Sequence, residues 1–277
     1  MLLVNGKEIK SSISMPKAID CVAKGFSDFN DGLFSMPQRS IMDIKGATVL
    51  TMPAYRKDGE YFVIKVVTVF DNFSIKKDKI VNSSVLVFDS KTGNLLAKLD
   101  GDSITAIRTG AASGIATKYF SSPLTDVLAI FGTGVQALTQ VEAVISCRPI
   151  KKVFVYSRNV KSAKRFSDHI RNLFSINVAP GKVKDLKNAD VICTATPSED
   201  SLFKLGTIKS GVHINAIGSF KPSMKEIHSD IINSSCVIVD SIEACKKEAG
   251  DLIQAKNETS WDFDNIFMQL GDVFSKQ

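Results

Sequence analysis

The hydrophobic positions of this chain change period partway along its length. Between residues 36 and 99 they fall in short β-rich runs cut by turn residues, and 39–44, 47–55, 61–69, 84–89 and 95–99 read as strands. Turns are predicted at Lys57-Asp58-Gly59 and Lys91-Thr92-Gly93, the second closing a hairpin of 85–89 on 94–98. Beyond residue 127 the pattern differs. Compact apolar blocks at Val127–Phe131, 153–156, Val191–Thr194, His213–Ala216 and Val237–Val239 alternate with stretches of helical period at Val135–Cys147 and Val160–Phe174. Shorter helices are expected after Asp200 and after Met224. This alternation predicts a parallel sheet with helices on both faces. A short strand at Leu2–Val4 precedes all of this, followed by a helix over 14–29. Its apolar positions Ile19, Val22, Ala23 and Phe26 recur at helical spacing, with Pro16 near the start and Gly32 at the exit. A helix over 243–255 and a short amphipathic stretch over 263–274 complete the chain.

The fold class that follows is α/β: a Rossmann-type parallel-sheet domain plus a smaller α+β domain for substrate binding and dimerisation. The boundaries expected are 1–114 for the smaller domain, joined by 260–277, and 115–259 for the Rossmann domain. Between the two regimes lies GDSITAIRTGAASGIATKYF, residues 101–120, read as a helix whose small residues pack closely on another element. Arg108 stands out there as a charge in a helix otherwise built for burial. A buried arginine needs an anionic partner, either an internal carboxylate or that of a substrate.

The block Val127–Phe131 runs into Gly132-Thr133-Gly134-Val135-Gln136-Ala137, matching G-x-G-x-x-A between a strand and a helix. The first glycine allows the sharp turn, the second lets a pyrophosphate approach the backbone, and the third small residue lets helix and strand pack closely. The helix N-terminus offers free N–H groups and a positive dipole end. The next strand ends at Ser157-Arg158, 25 residues beyond Gly132, where an acidic residue would grip the ribose of NAD. Ser157 and Arg158 suit a phosphate instead, with Lys161 nearby, so NADP(H) is the expected cofactor and NAD(H) the alternative. A solvated loop charge is the plainer explanation of Arg158. Ligands of open α/β sheets sit at the carboxyl ends of strands. Thr194, Ala195 and Thr196 in one loop, and Ala216 and Gly218 in another, are therefore expected beside the nicotinamide.

Composition narrows the classes. The 277 residues are 44% hydrophobic and 23% charged, an ordinary globular balance. A net charge of +6 suits an anionic cofactor and equally suits nucleic acid. The basic residues are scattered, as at Lys76-Lys77, Lys151-Lys152 and Lys246-Lys247, and no nucleic-acid motif occurs, so that partner is not expected. Five cysteines without a C-x-x-C, and no leader pattern, suggest a reducing cytoplasm. No apolar run is long enough for a membrane span, and the three histidines lack metal-ligand spacing.

Several motifs together resemble the ornithine cyclodeaminase/mu-crystallin family. They are Met36-Pro37-Gln38-Arg39, the strand bearing Lys65, Thr92-Gly93 followed by Leu99-Asp100-Gly101, Ile104-Thr105-Ala106-Ile107-Arg108-Thr109-Gly110-Ala111-Ala112, the glycine turn, and Asn215-Ala216-Ile217-Gly218-Ser219. The resemblance covers nearly the whole chain. It implies a homodimer whose first domain binds a small amino or imino acid and whose second binds NAD(P). By position it carries Arg39, Lys65 and Arg108 over as substrate-carboxylate and active-site residues, with Lys65 also catalytic, and adds Thr109 to the cofactor set. Three cations around one pocket suit an anionic ligand. Lys65, with its pKa lowered by two arginines, could trade protons.

The chain departs from the cyclodeaminase pattern in two places. Phe220 stands where cyclodeaminases are similar in carrying an aspartate, and a phenyl ring cannot take a proton. The resemblance then implies only the last step of that cycle, hydride addition to an imine. Relatives also continue beyond the equivalent of Leu270-Gly271-Asp272, so weakened domain closure and dimerisation are expected. The expected function is an NAD(P)H-dependent reductase of a small 2-imino acid such as pyrroline-2-carboxylate. The alternatives are ornithine cyclodeamination, with Glu226 as the nearest substitute carboxylate, an alanine dehydrogenase-like enzyme, and a non-catalytic NADPH-binding paralogue.

Overall fold

A computed structural model describes residues 1–70 and 81–275; Lys76-Lys77 lies outside the described residues. The chain opens with β1 (Leu2–Val4), α1 (Gly6–Ser12) and α2 (Met15–Asn30), then β2 (Phe34–Ser35), β3 (Ser40–Ile44), β4 (Ala47–Arg56), β5 (Tyr61–Phe70), β6 (Val81–Asp89) and β7 (Leu95–Asp100). Among the described residues these strands form one sheet in the order β1-β7-β6-β5-β4-β2, with β3 also paired to β4. All pairs are antiparallel except β1 on β7. The predicted strands and hairpin are present. The short helix α1 was not foreseen; Asn5 starts it by accepting from the N–H groups of Lys7 and Glu8.

The helix α3 (Gly101–Phe120) starts at Asp100, whose side chain accepts from Ser103 N–H. Its small residues do what the sequence implies. A Cβ on Gly110 would come within 2.8 Å of the Thr139 carbonyl, and one on Gly114 within 2.7 Å of the Ile19 side chain. Glycine at these two positions lets α3 lie against both α2 and the helix that follows the glycine turn. Ala111 and Ile115 of α3 join Met15, Ala18 and Ile19 of α2 in one buried cluster, which Leu270 closes.

The remainder of the chain holds β8 (Val127–Phe131), α4 (Val135–Cys147), β9 (Lys152–Tyr156), α5 (Val160–Phe174), β10 (Asn177–Pro180), β11 (Val191–Thr194), β12 (His213–Ala216), α6 (Ser229–Asn233), β13 (Val237–Val239), α7 (Ile242–Glu248), α8 (Gly250–Glu258), β14 (Ile266–Gln269) and α9 (Asp272–Ser275). A parallel sheet runs β10-β9-β8-β11-β12. Its side chains alternate as the pleat requires. Leu128, Ile130, Val191 and Cys193 pack with Val141 of α4 and Ile170 of α5. Ala129, Phe131 and Ile192 pack with Ile231 of α6, Leu252 of α8 and Trp261. Fully burying each such aliphatic side chain is worth about 1.5–3 kcal/mol.

Four expectations need correction. Val237–Val239 does not extend the parallel sheet but pairs with β14 in a small sheet of its own, with Val239 buried beneath the main sheet's second face. The fifth strand is β10, hidden in the sequence by its shortness and by Pro180; proline is tolerated because β10 is an edge. After Asp200 there is a single 3-10 turn at Leu205–Thr207 rather than a helix. The helix over 243–255 is two helices, broken where Ala249 turns extended (φ −77°, ψ 90°). The break seats Gly250 against the backbone carbonyls of Lys221 and Met224, where a Cβ would collide. The C-terminal segment returns to α2, with Asn30 Nδ2 donating to Asp272 Oδ1 at 2.8 Å.

Candidate active site

The order of the parallel sheet reverses at β8. The chain leaves β8 toward β9 and β10 on one side, and the later strands β11 and β12 lie on the other. In open α/β sheets this switch point opens a crevice beyond the carboxyl ends of the strands. The glycine turn and the loop after β11 flank it. Gly132 takes φ +109°, a left-handed region that favours glycine, and a Cβ there would collide with the Ala195 carbonyl. Gly134 precedes α4 and has nothing within 4 Å of where a Cβ would lie. Among the described residues no side chain caps α4, so the N–H groups of its first turn, at Val135 and Gln136, are left without a side-chain partner. The side-chain Oε1 of Gln136 is enclosed and accepts no hydrogen bond. An open cradle over Gly134 and an uncapped helix N-terminus fit a pyrophosphate-bearing dinucleotide.

At the end of β9, Ser157 Oγ accepts from the Asn159 N–H at 3.3 Å. Arg158 is exposed and makes no hydrogen bond or ion pair with a described residue. Next to it, Asn159, Lys161, Lys164, Arg165 and Asp168 line a shallow cavity of about 420 Å³.

The loops after β11 and β12 are tied inward. Thr194 Oγ1 donates to Glu226 Oε2 at 2.7 Å, while the Thr196 N–H and Oγ1 donate to Glu226 Oε1 at 2.6 and 2.7 Å. The Gly218 N–H donates to Glu226 Oε2 at 2.8 Å. The hydroxyls of Thr194 and Thr196 are thus engaged below the crevice, and Ala216 is the exposed residue at the end of β12. Thr109 is held within its own helix, its hydroxyl donating to the Thr105 carbonyl at 2.7 Å, and its carbonyl accepts from Gln140 of α4 at 3.4 Å.

The cationic residues sit on the first sheet and on α3. Cross-strand register pairs Met52 with Lys65 and Lys65 with Val85, and Arg39 immediately precedes Ser40, which faces Thr51. Arg39 therefore continues the line through Met52 to Lys65, two strand spacings or about 10 Å away. Lys65 Nζ donates to Thr105 Oγ1 of α3 at 2.6 Å. Burial lowers the Lys65 pKa below that of an ordinary lysine, the Arg108 charge lowers it further, and Asp102 opposes both. The structure thus brings Lys65 and Arg108 together.

Two expectations change here. Arg108 is not buried with an anionic partner. Its side chain reaches solvent, and it makes no hydrogen bond or ion pair with a described residue. Protein nevertheless crowds the guanidinium closely enough to disfavour its charge, which Asp240 partly offsets. Those facts together describe the floor of an open recess. Arg39, by contrast, is engaged: it is exposed and ion-paired with Glu248 at the end of α7.

Phe220 is 61% exposed, on a loop that cannot move freely. Ser219 Oγ donates to the Met224 carbonyl at 3.0 Å and accepts from the Asp251 N–H at 3.0 Å, and Gln254 Nε2 donates to the carbonyls of Pro222 and Met224. Glu226, the substitute carboxylate, is fully enclosed and accepts four hydrogen bonds. It cannot reach a substrate amine. Sequence reasoning missed Asp251, whose Oδ1 accepts from the N–H groups of Glu226 and Ile227 at 2.6 and 2.9 Å. It also missed Asp240 and Glu248, which face the two arginines. A helix-periodicity signal exists for Asp251, which falls on the buried stripe with Leu252 and Ala255.

Comparison with known proteins agrees with this fold. The sequence pattern of the ornithine cyclodeaminase/mu-crystallin family matches residues 1–277. A Delta(1)-pyrroline-2-carboxylate reductase of Bacillus cereus is 36% identical over 281 residues, covering 99% of this chain and 86% of the relative. The solved structure of the Thermococcus litoralis Delta(1)-pyrroline-2-carboxylate reductase, in complex with NADH and L-proline, superposes with a TM-score of 0.91 at 34% identity, covering 99% of this chain and 86% of that one. An archaeal alanine dehydrogenase dimer with bound NAD superposes with a TM-score of 0.90 at 28% identity, over 99% of this chain and 85% of that one.

Proposed function

This chain belongs to the ornithine cyclodeaminase/mu-crystallin family, and on that premise we propose that it is an NAD(P)H-dependent imine reductase acting on a small 2-imino acid such as pyrroline-2-carboxylate. The observation that carries this reading is the pair of Lys65, held by a neutral hydroxyl, and Arg108, without an ion-pair partner among the described residues. Neither cation makes an ion pair with a described residue, Asp102 and Asp240 acting on them only at a distance, and the carboxylate of an imino acid supplies one.

The reduced nicotinamide, when bound, supplies a hydride to the imine carbon. Arg108, joined by Arg39 once it leaves Glu248, orients the substrate carboxylate. Lys65, directly or through a water it orients, gives the proton that the imine nitrogen gains as the C=N bond becomes C–N. Its lowered pKa suits that transfer, because a lysine that gives up its proton more readily is the better acid. Gly132, Thr133, Gly134, Val135 and Gln136 cradle the pyrophosphate. Thr109 and the backbone of Thr194, Ala195, Thr196, Ala216 and Gly218 border the nicotinamide. Ser157 and the exposed Arg158 favour NADP(H) over NAD(H), and the basic cavity beside them adds to that preference. Residues 1–114, joined by 260–277, form the substrate and dimerisation part and 115–259 the cofactor part.

A homodimer is supported by the first sheet. α3 lies on its Lys65 face, whereas the opposite face carries the partly buried Phe62, Ile64, Val66, Leu86 and Phe88. An apolar face of this extent suits a partner copy. All five cysteines are free thiols, in keeping with a cytoplasmic setting. Ornithine cyclodeamination is disfavoured by Phe220 and by the engagement of Glu226.

Oxidation of NADPH and NADH by the purified protein, against cyclic and linear 2-imino acids, tests the proposal. Turnover with a cyclic imine, faster with NADPH, is the expected result. Ammonia released from ornithine and NAD would favour cyclodeamination, and cofactor binding without turnover would favour a non-catalytic protein.

A further inference from the structure

The proposed mechanism leaves one enclosed group unused. Glu226 has no solvent-exposed surface, and its four hydrogen-bond donors are all neutral. Burying a carboxylate without a cation is costly, and an apolar residue could fill the same space without that cost. The carboxylate therefore has to be explained by what it joins. Thr194 and Thr196 belong to the end of β11 and the loop after it, whereas Gly218 belongs to the loop after β12. Each oxygen takes one rigid backbone N–H, that of Thr196 on Oε1 and that of Gly218 on Oε2, so one side chain sets the spacing of both loops. The fit is tight, because a Cβ on Gly218 would lie 2.5 Å from Glu226 Oε2. The tie reaches the glycine turn as well, since the Ala195 carbonyl occupies the space a Cβ on Gly132 would need. Glu226 is itself held from behind, its N–H bonded to Asp251 at the start of α8.

We propose that Glu226 is a positioning residue for hydride transfer, a buried brace that fixes the strand-end loops at 194–196 and 218 around the nicotinamide half of the cofactor. The placement of the nicotinamide rests on the imine-reductase reading; the brace itself rests on the hydrogen bonds. Its action is indirect, since Glu226 cannot touch substrate.

The test uses Glu226→Gln and the milder Thr194→Val in the full chain. Glutamine keeps the shape but points an N–H₂ at one pair of donors, so one of the two loops loses its tie. Thr194→Val removes a single donor and is the safeguard should the first variant fold poorly. Three readouts are taken: equilibrium binding of NADPH by fluorescence, steady-state kinetics with a cyclic imine, and peptide-resolved hydrogen exchange. Because hydrogen bonds to charged acceptors are the strong ones, Glu226→Gln should weaken NADPH binding about tenfold or more. It should lower kcat at saturating cofactor while the KM for the imine stays within about twofold. Exchange should accelerate at least about tenfold in peptides covering 194–198 and 216–220, with the α4 core over 138–145 unchanged. Thr194→Val should move each readout the same way by a smaller factor. Unchanged cofactor binding and loop exchange would overturn the proposal. So would acceleration spread evenly over the core with unaltered cofactor binding, the mark of a purely structural residue. If the parent protein binds NADPH but reduces no imine, the functional reading falls while the binding and exchange results still decide the brace. If the parent binds no nicotinamide cofactor, the proposal falls.

Discussion

Charge is handled in opposite ways on the two sides of the cleft. At the cationic recess Lys65 has a single neutral partner, Thr105, and Arg108 has none among the described residues. Beneath the strand ends Glu226 accepts four hydrogen bonds and Asp251 two from the backbone behind it. The first pair has bonding capacity to spare and is accessible. In the second, both oxygens of Glu226 are engaged and its side chain is sealed from water, while Asp251 is nearly buried and takes its two bonds on Oδ1. Unfilled capacity on an accessible charge marks a place for a ligand, whereas filled capacity on an enclosed charge marks a part of the frame. Both are polar residues in unusual surroundings, and perturbed ionisation alone would not separate them.

The comparison breaks most directly at Arg108. Arg108→Met keeps the length and apolar stem but removes the cation. If the recess holds the substrate carboxylate, kcat/KM for a cyclic imine should fall by about 10²–10³, the range expected when one member of a desolvated charge pair is truncated. NADPH affinity should be unchanged, because the glycine turn is untouched. Steady-state kinetics with both substrates varied makes this check, and a loss under about fivefold would place the carboxylate elsewhere.

The enclosed pair yields a stability prediction with a definite sign. Burial pushes the Asp251 carboxyl up to about 6, opposed by the two backbone N–H groups that donate to it and raised further by neighbouring Glu226. A carboxyl whose folded-state pKa is raised favours the folded state while protonated. Its contribution is largest below the unfolded value near 3.8 and is lost as pH rises toward about 6. Two pH units correspond to about 3 kcal/mol as an order of magnitude. Asp251→Asn keeps the accepting oxygen and cannot ionise. Relative to the parent it should therefore gain up to about 3 kcal/mol of stability between pH 4 and pH 7, read from urea unfolding at several pH values. The difference between variant and parent is the quantity to measure, since carboxylates such as Asp28, held low chiefly by its hydrogen bond to Arg56, slope the other way. A constant difference across that range would mean that Asp251 is not raised.

The two regions also differ in how far they could be read from the sequence. The recess was legible because its parts belong to continuous motifs: Arg39 after Met36-Pro37-Gln38, Lys65 in a β-rich run, and Arg108 in a helix of small residues. The glycine turn was legible for the same reason, and the strands β3 to β9 fell within a few residues of expectation. The brace was not. Glu226 and Asp251 lie 25 positions apart on segments with no motif, and what joins them is the packing of Gly250 against the 221–224 backbone, a tertiary contact without periodicity. Where local pattern and tertiary packing disagreed, packing won, as at Ala249 and at β13. The exposure of Arg108 was misread for a related reason, since composition can identify a helix with close neighbours but not the gap between them.

The smallest effect is expected at the contact between Arg39 and Glu248, which joins the first sheet to α7 across the cleft. Both side chains remain more than a third exposed, at 38% and 36%, and exposed ion pairs are worth about 0–1 kcal/mol. Arg39 lies in line with Lys65 across Met52, so it can serve the substrate carboxylate only by giving up this partner. Glu248→Gln removes the competing charge and leaves the hydrogen-bonding shape. The KM for a cyclic imine should then fall by about two- to fivefold, with NADPH affinity unchanged, and the gain should shrink as salt screens the pair in the parent protein. A rise in KM would reverse the assignment. Glu248 would then be holding Arg39 in its working position, and that contact would belong with the filled charges of the frame rather than with the open charges of the recess.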